Sequence, residues 1–373
     1  MKTFAALLGI LIGIGAQDKD TWDKIVWKGN RPPTEGVVIS LNVKEIKYRL
    51  ATGGGEQVEP SKGVQDIVFD PESLPYEFNA GKAALQRNQF REAVEQFEKA
   101  IDRIKRSNNP NHPLRDFCRK FIIEAQLAAG DTAGVVAAAR ELRKEKLDSF
   151  YVRDSFLLQY EAAKTKGDAK LLDETMKEFE EAIQKDRRLS ELAAGAELLR
   201  ADANEMAGKF EPALATYSKY QADREVWETV SLGTLRCLSA LNRIPDLKNK
   251  TDSLFNELKR EENPRVLLGA MTARGDIRLS EGKVREALLD YLKGLLELGP
   301  KVGDTPEHEA AMAKSAIASA RYALEFAKKD DKENRDRYLG RARELKDELK
   351  RTFPRTGWMT EVEKLIREAG AAQ

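Results

Sequence analysis

The chain has 373 residues and nearly balanced charge, with 63 lysines and arginines against 62 aspartates and glutamates. A chain of this length can form two or three ordinary domains or one elongated repeat array. Charged residues make up 34% of the sequence and aromatic residues 7%, a balance typical of thin helical layers rather than one large core. The lack of a basic excess argues against a nucleic-acid or anionic-membrane binder.

Residues 1–16 have the pattern of a secretory signal. Lys2 precedes an apolar stretch from Phe4 to Gly15, and small residues close that stretch. It is too short for a comfortable permanent span, since a bilayer needs about 20 apolar residues. We therefore expect an exported protein, periplasmic or secreted, with an uncleaved N-terminal anchor as the alternative. Removal of residues 1–16, which carry one basic and no acidic residue, leaves no net charge.

Residues 17–70 are predicted to form a small β module of four or five short strands. Valine and isoleucine partly alternate with polar residues from Gly36 to Leu50, and the alternation changes phase after residue 43, which indicates a turn or bulge. Trp27 is expected in the core of this module. Trp22 lies just ahead of the first strand, where it can be exposed. About 50 residues make a marginal core, so we expect the module to pack on the first helices.

This segment resembles the small β-barrel modules that precede helical repeats in some exported bacterial proteins. The resemblance implies a β-barrel-like or β-sheet module. The stretches that carry it are Asp23–Trp27, Glu35–Val38 and Val64–Phe69.

The region 71–359 is predicted to be helical, with Asp70 as the first N-cap and a proline at the first helical position. Three stretches share a pattern, namely 76–101, 194–220 and 268–294. In each, a small residue in one helix is followed by a turn and then by alanine and an aromatic residue in the next helix. The positions are Gly81, Phe90, Ala93 and Phe97; Ala201, Phe210, Ala213 and Tyr217; and Gly275, Val284, Ala287 and Tyr291.

This pattern resembles the tetratricopeptide repeat, in which a small residue lets two helices cross closely and an aromatic residue fills the space between layers. The resemblance implies a mainly α fold, a right-handed solenoid of about seven helical hairpins. The weaker hairpins turn at residues 130–131, 167–168 and 242–245, with a last pair over 310–352. Residues 360–373 are predicted to be a capping helix and tail, opened by a capping box of Thr360 and Glu363 and ended by Gly370.

The sequence contains none of the familiar catalytic or metal-binding motifs. Its two histidines, His112 and His308, lie close to prolines that start helices and are predicted to be loop or N-cap residues. Cys118 and Cys237 lie among apolar neighbours and are predicted to be buried and unbridged. We therefore expect no catalytic residue, no metal site and no cofactor.

The surface predicted to bind a partner is the concave face formed by the first helices of the hairpins. The register of the repeat places twelve residues there: Phe78, Lys82, Leu85, Gln86, Leu198, Asp202, Glu205, Met206, Thr272, Asp276, Leu279 and Ser280. The later positions are mildly acidic, which suits an extended or helical peptide with some basic character. The main prediction is a non-catalytic protein–protein interaction scaffold of the cell envelope or periplasm. Its partner would be a protein or peptide, with no nucleic acid and no stable membrane span after signal cleavage.

Two alternatives from other classes remain open. A cell-wall or carbohydrate-binding protein would act through the β module and Trp22, with the helices as a spacer. An exported hydrolase would need a pair of convergent carboxylates between repeats, and no motif selects such a pair.

Overall fold

The computed structural model describes residues 22–70, 74–107, 112–258 and 263–372. The predicted signal at residues 1–16 lies outside the described residues. The chain divides into two compact units between Leu199 and Arg200. Within the described residues it forms five β-strands followed by fifteen α-helices. This confirms the predicted fold class, which is mainly α with helical hairpins after a small β module.

The β module is a single antiparallel sheet. Its strands are β1 (Asp23–Trp27), β2 (Thr34–Leu41), β3 (Glu45–Leu50), β4 (Glu56–Pro60) and β5 (Val64–Val68). They pair in the order β4-β3-β2-β1-β5. The predicted change of phase is the turn between β2 and β3, where Asn42 Oδ1 accepts hydrogen bonds from the backbone N–H groups of Lys44 and Glu45. Asparagine favours such turns because its side chain can replace a backbone acceptor.

Trp27 lies in the core of the sheet, as predicted. It is 3% exposed, and its Nε1 donates to Thr34 Oγ1 at 2.8 Å. The guanidinium of Arg31 lies 3.7 Å from the centre of its ring and donates to Glu59 Oε1 at 2.8 Å. Tyr48 also donates to Glu59, at 2.5 Å. The Arg31 hydrogen bond, helped by that of Tyr48, outweighs the effect of burial and lowers the pKa of Glu59 to about 2.

Asp23 fastens the sheet to the chain that follows it. Its carboxylate is buried and accepts hydrogen bonds from the backbone N–H of Val38 at 2.8 Å and of Asp70 at 2.9 Å. Asp70 is thus held by the sheet, and the first described helix begins at Tyr76. The helix start predicted at Asp70 stays a prediction, because residues 71–73 lie outside the described part of the chain.

Unit 1 continues with three helical hairpins. Their helices are α1 (Tyr76–Gln86), α2 (Phe90–Lys105), α3 (Leu114–Ala128), α4 (Thr132–Glu145), α5 (Val152–Lys166) and α6 (Ala169–Lys185). One apolar core runs from the sheet into these hairpins. The ring of Phe69, after β5, lies 5.5 Å from that of Phe117 on α3, and Lys146 Nζ donates to the carbonyl of Leu41 at 3.2 Å. The expected packing of the module on the first helices is therefore confirmed.

Unit 2 holds four hairpins and a final helix. The helices are α7 (Ala193–Met206), within which the division between units falls, α8 (Phe210–Lys219), α9 (Trp227–Ala240), α10 (Ile244–Glu257), α11 (Pro264–Ser280), α12 (Val284–Val302), α13 (Pro306–Ala327), α14 (Lys332–Thr352) and α15 (Met359–Ala371). Measured over the described residues, no helix has the length and apolar character to cross a membrane.

The final helix starts differently from the prediction. It begins at Met359, and no side chain caps it. Thr356 Oγ1 instead accepts a hydrogen bond from the backbone N–H of Trp358 at 3.2 Å and turns the chain just ahead of the helix. The capping box of Thr360 and Glu363 is therefore wrong, and Gly370 lies inside the helix rather than ending it.

Every hairpin of the described chain turns through one residue with a left-handed backbone. Glycine and asparagine adopt this conformation at low cost, and they supply six of the seven turns. The seven residues are Asn88, Gly130, Gly167, Gly208, Asn242, Gly282 and Asp330. The turns predicted from sequence at the first six of these positions are confirmed.

Two glycines of the first helices make room for an aromatic ring of the second helix. A Cβ at Gly81 would lie 2.8 Å from the Phe97 ring, and a Cβ at Gly275 would lie 2.3 Å from the Tyr291 ring. Both rings are fully buried. The small residues in the repeat pattern are thus required by the close crossing of the helices, as the sequence indicated.

Candidate functional site

Five of the twelve residues predicted to contact a partner belong to unit 1, and they differ widely in exposure. Phe78 and Leu198 are buried, and the ring of Phe78 stacks among neighbouring phenylalanines. Lys82 and Leu85 are half-buried, and Gln86 is exposed. Phe78 therefore holds the first hairpin together and offers little surface to a partner.

The other seven lie in unit 2, where Asp276 is fully engaged by its own chain. It accepts hydrogen bonds from Ser239 Oγ at 2.5 Å and from the Tyr291 hydroxyl at 2.6 Å, and it pairs with Lys314 Nζ at 2.5 Å. Asp276 therefore joins its own helix, α11, to three other helices of unit 2. Of the remaining six, Thr272 is buried, Asp202, Glu205 and Leu279 are half-buried, and Met206 and Ser280 are exposed.

Glu205 belongs to a chain of ion pairs across the first helices of unit 2. Arg236 Nη2 donates to Glu205 Oε2 at 3.0 Å and Arg236 Nη1 to Glu307 Oε1 at 2.7 Å. Arg265 then pairs with Glu307 at 2.7 Å and with Glu228 at 3.2 Å. Burial lowers the pKa of Arg236, but the hydrogen bond and charge of Glu205 outweigh that effect and raise it. These ion pairs align α7, α9, α11 and α13.

Unit 1 contains a second group of interacting charges. Asp66 on β5, Glu124 on α3 and Asp154 on α5 lie around Lys120, and we call the three carboxylates the acidic cluster. Lys120 Nζ pairs with Glu124 Oε1 at 3.3 Å, and the two side chains are 25% and 23% exposed. Both side chains are therefore mostly buried and only partly exposed. The acidic cluster joins the β module to the first helices of two successive hairpins.

The carboxylates of the acidic cluster are held in an unfavourable environment. Burial raises the pKa of Asp66, Glu124 and Asp154, and the positive charge of Lys120 offsets only part of that rise. Lys82 also acts on Asp66, and Arg153 acts on Asp154. Burial nevertheless has the largest effect on the pKa of all three carboxylates.

The hydroxyl of Tyr151 lies beside the acidic cluster. Tyr151 is 3% exposed, its ring packs 5.5 Å from that of Phe117, and Lys120 Nζ lies 5.6 Å from its centre. Burial, followed by the charges of nearby carboxylates including Asp66 and Asp154, raises the pKa of this hydroxyl well above its usual value. Within the described residues the hydroxyl oxygen has no hydrogen-bond partner.

Sequence reasoning missed this site for a definable reason. The predicted contact residues all lie in the three hairpins with a clear repeat signature. Glu124 and Asp154 lie on α3 and α5, the first helices of two weaker hairpins, and Asp66 lies on a strand. A signal was nevertheless present, because Lys120 and Glu124 are four residues apart on one helix face.

The two histidines and two cysteines of the described chain occupy loop, N-cap or buried positions. His112 Nδ1 accepts from the backbone N–H of Leu114 at 3.1 Å, and burial lowers its pKa. His308 follows the N-cap of α13, and its Nδ1 lies 2.8 Å from the carbonyl of Gly303. Cys118 and Cys237 are both buried, as predicted. In the part of the chain that the structure describes, no three histidine, cysteine or acidic side chains are arranged to hold a metal ion.

Comparison with known proteins places the fold among tetratricopeptide-like structures. A tetratricopeptide repeat protein from Parabacteroides merdae superposes with a TM-score of 0.52 at 12% identity, over 78% of this chain and 97% of that one. A Rap protein complexed with competence and sporulation factor covers 79% of this chain and 86% of that one at 10% identity, with a TM-score of only 0.43. BtubC from P. vanneervenii covers 61% of this chain and 92% of that one at 14% identity, with a TM-score of 0.42.

The first of these likenesses supports the fold alone, and the other two are too distant to carry an argument. No protein-family model matches the sequence, and a search of curated proteins finds no match either. The class that the structure defines is thus a tetratricopeptide-like array of helical hairpins with a five-stranded sheet before it.

Proposed function

We propose that this chain is a non-catalytic protein-interaction scaffold that binds a segment of a partner protein along the first helices of its hairpins. The observation that carries the proposal is the acidic cluster of Asp66, Glu124 and Asp154, which is partly exposed and lies on the sheet and on the first helices α3 and α5. Ion pairs of unit 2 such as that between Arg236 and Glu307 are closed within the chain. The partner surface is therefore assigned to unit 1.

The proposed location is the cell envelope or periplasm. Support comes from residues 1–16, whose charged start, apolar stretch and small residues match a secretory signal. Cell fractionation tests this location. The full chain is expected in the periplasmic or secreted fraction and a chain without residues 1–16 in the cytoplasm. Recovery of both forms in the cytoplasm would contradict it.

The scaffold proposal is tested by crosslinking in the source cells. A photoreactive residue in place of Gln86, which is exposed on α1, is expected to capture one reproducible partner segment that mass spectrometry can identify. The purified segment should then bind the purified chain in solution. The matched control carries the same photoreactive residue at Glu98, exposed on the second helix α2.

Equal capture from Gln86 and Glu98, or failure of the captured segment to bind the purified chain, would argue against a partner on the first helices. Turnover of a substrate by the purified chain would contradict the non-catalytic part of the proposal.

A second candidate is cell-wall or carbohydrate binding through the β module. One observation favours it, because Trp22 is 38% exposed beside β1 and an exposed indole can stack on a sugar ring. Trp27 is not available for this role, since its ring is buried under Arg31. Sedimentation with isolated cell wall that is lost in Trp22→Ala and kept in the Gln86 variant would favour this candidate.

A further inference from the structure

The outward side of α12 in unit 2 carries two leucines that its own hairpin leaves uncovered. Leu289 is 55% exposed and Leu296 is 64% exposed. They are two helical turns apart and therefore lie on one face of the helix, with the half-buried Leu292 between them. Steps of three and four residues between apolar side chains are typical of a seam between two helices. We call Leu289, Leu292 and Leu296 the leucine stripe.

The hairpin itself does not require leucine at the two exposed positions. Leu289 and Leu296 lie seven and fourteen residues after the left-handed turn residue Gly282. At the same two distances from the other six turn residues, the chain has only alanine, asparagine or a charged residue. In the hairpins before and after, these residues are Asn249, Asn256, Arg337 and Glu344. Leucine stabilises a protein only where its surface is removed from water, so a surface that covers the leucine stripe would account for it.

Charges of both signs border the leucine stripe. Glu286 lies one turn before Leu289 and Lys293 one turn after it, on the same side of the stripe, and both are exposed. Neither forms an ion pair among the described residues. A partner selected by charge would meet a border of one sign. Here each sign lacks its opposite, and a second copy of the same helix supplies both.

We propose that α12 pairs with α12 of a second copy of this chain, antiparallel and across a two-fold axis. In this arrangement Leu289 packs against Leu292 of the second copy, and the axis repeats the contact because both copies use the same surface. The same register places Glu286 beside Lys293 of the second copy, again twice. The pairing therefore covers apolar surface and supplies each border charge with its counter-ion.

The size of this contact predicts a weak dimer. Leu296 completes the contact by lying against the aliphatic part of Arg285 of the second copy, whose guanidinium reaches solvent. Since α12 has 19 residues, it is about 28 Å long and about 10 Å wide. One such helix on each copy covers less than the about 800 Å² per partner of a standard interface. We therefore expect a dissociation constant of about 10–100 µM.

Sedimentation equilibrium of the full chain between about 1 and 300 µM tests the proposal. The unaltered chain should pass from monomer to dimer over this range. Leu289→Gln combined with Leu296→Gln should weaken the dimer by at least about tenfold. Val37→Gln combined with Val58→Gln is the matched control, because these valines of the β module are also exposed, and it should change dimerisation by less than about twofold. Circular dichroism confirms that both variants are folded.

Charge reversal tests the register of the two helices. Glu286→Lys brings like charges together at two symmetry-related points, and Lys293→Glu does the same with the opposite sign. At about 0.05 M salt, which leaves exposed pairs only partly screened, each reversal should weaken the dimer by about fivefold or more. The two reversals combined exchange the charges and restore both ion pairs, so this variant should dimerise within about twofold of the unaltered chain. A purely apolar association would show no such rescue.

The proposal is overturned if the unaltered chain stays monomeric up to about 300 µM. It is also overturned if the leucine variant dimerises as tightly as the valine control, or if the combined reversal is as weak as the single ones. None of these measurements involves the partner segment proposed for unit 1. A chain that captures that segment but forms no dimer would refute this inference alone, and the scaffold function would stand.

Discussion

The close crossing of α11 and α12 at Gly275 offers a direct test of how the hairpins pack. A Cβ added at Gly275 would lie 2.3 Å from Cε1, 2.6 Å from Cδ1 and 2.7 Å from Cζ of the Tyr291 ring. Carbon atoms in ordinary contact are about 3.5–4.0 Å apart, so the ring would have to move by more than 1 Å. The ring is 1% exposed, and its hydroxyl donates to Asp276 at 2.6 Å. Gly275→Ala should therefore strain the second helix rather than be absorbed.

The magnitude follows from two opposing effects. Overpacking a filled core costs about 1–3 kcal/mol, and a buried, hydrogen-bonded ring places Gly275→Ala near the upper end. Alanine is better than glycine inside a helix by about 1 kcal/mol. The net loss is then about 2 kcal/mol, which lowers the melting temperature of a unit of 150–250 residues by about 4–8 °C. Thermal unfolding followed by circular dichroism measures this change.

Gly340→Ala on α14 is the matched control in the same unit. A Cβ there meets no atom within 4 Å, so only the gain in helix propensity remains. The melting temperature should rise by about 2–4 °C. If Gly275→Ala melts at or above the temperature of the unaltered chain, the packing of Tyr291 against the helix backbone is not what excludes a side chain at this position.

Two further perturbations test the electrostatics. Glu307 is buried and pairs with two arginines. Glu307→Gln should therefore lower the free energy of unfolding in urea by about 1–3 kcal/mol. The control Asp252→Asn removes one partner of an exposed pair with a lysine and should lower it by less than about 0.5 kcal/mol. Equal effects would contradict the structural role of the ion-pair chain. The pKa of Glu59 is lowered to about 2 in the folded chain. Its ionised carboxylate therefore stabilises the fold fully above the unfolded pKa of about 4.3, and this stabilisation is lost as the pH falls through about 2. Glu59→Gln should remove the loss of stability near about pH 2 to 4 that tryptophan fluorescence detects. Glu56→Gln, at an exposed glutamate, should leave that loss unchanged. Identical acid unfolding profiles for the two variants would contradict the role assigned to Glu59.

The hairpins could be predicted because their signals are local. A left-handed turn favours glycine or asparagine at one position, and Gly130, Gly208 and Gly282 lie where the turns form. The spacing from a small residue to an aromatic ring lies within one hairpin, as for Gly275 and Tyr291. Such patterns can be found in sequence without knowledge of the remaining chain.

The error at the final helix occurred where another local hydrogen bond competes with the predicted cap. Thr360 and Glu363 have the spacing of a capping box, but a hydrogen bond to Thr356 turns the chain before α15. The predicted cap is worth only about 1 kcal/mol, which one other hydrogen bond can replace.

The candidate site divides in the same way. The repeat pattern alone predicted helical hairpins and a mildly acidic face on their first helices, because helical periodicity depends only on residues that are close in sequence. Which acids remain available to a partner was decided only by the tertiary structure. Glu205 and Asp276 are neutralised by Arg236 and Lys314 from later hairpins. Asp66 joins Glu124 and Asp154 only because the sheet packs on the first hairpins. Charges pair through space, so the order of charged residues in the sequence cannot show which of them become partners.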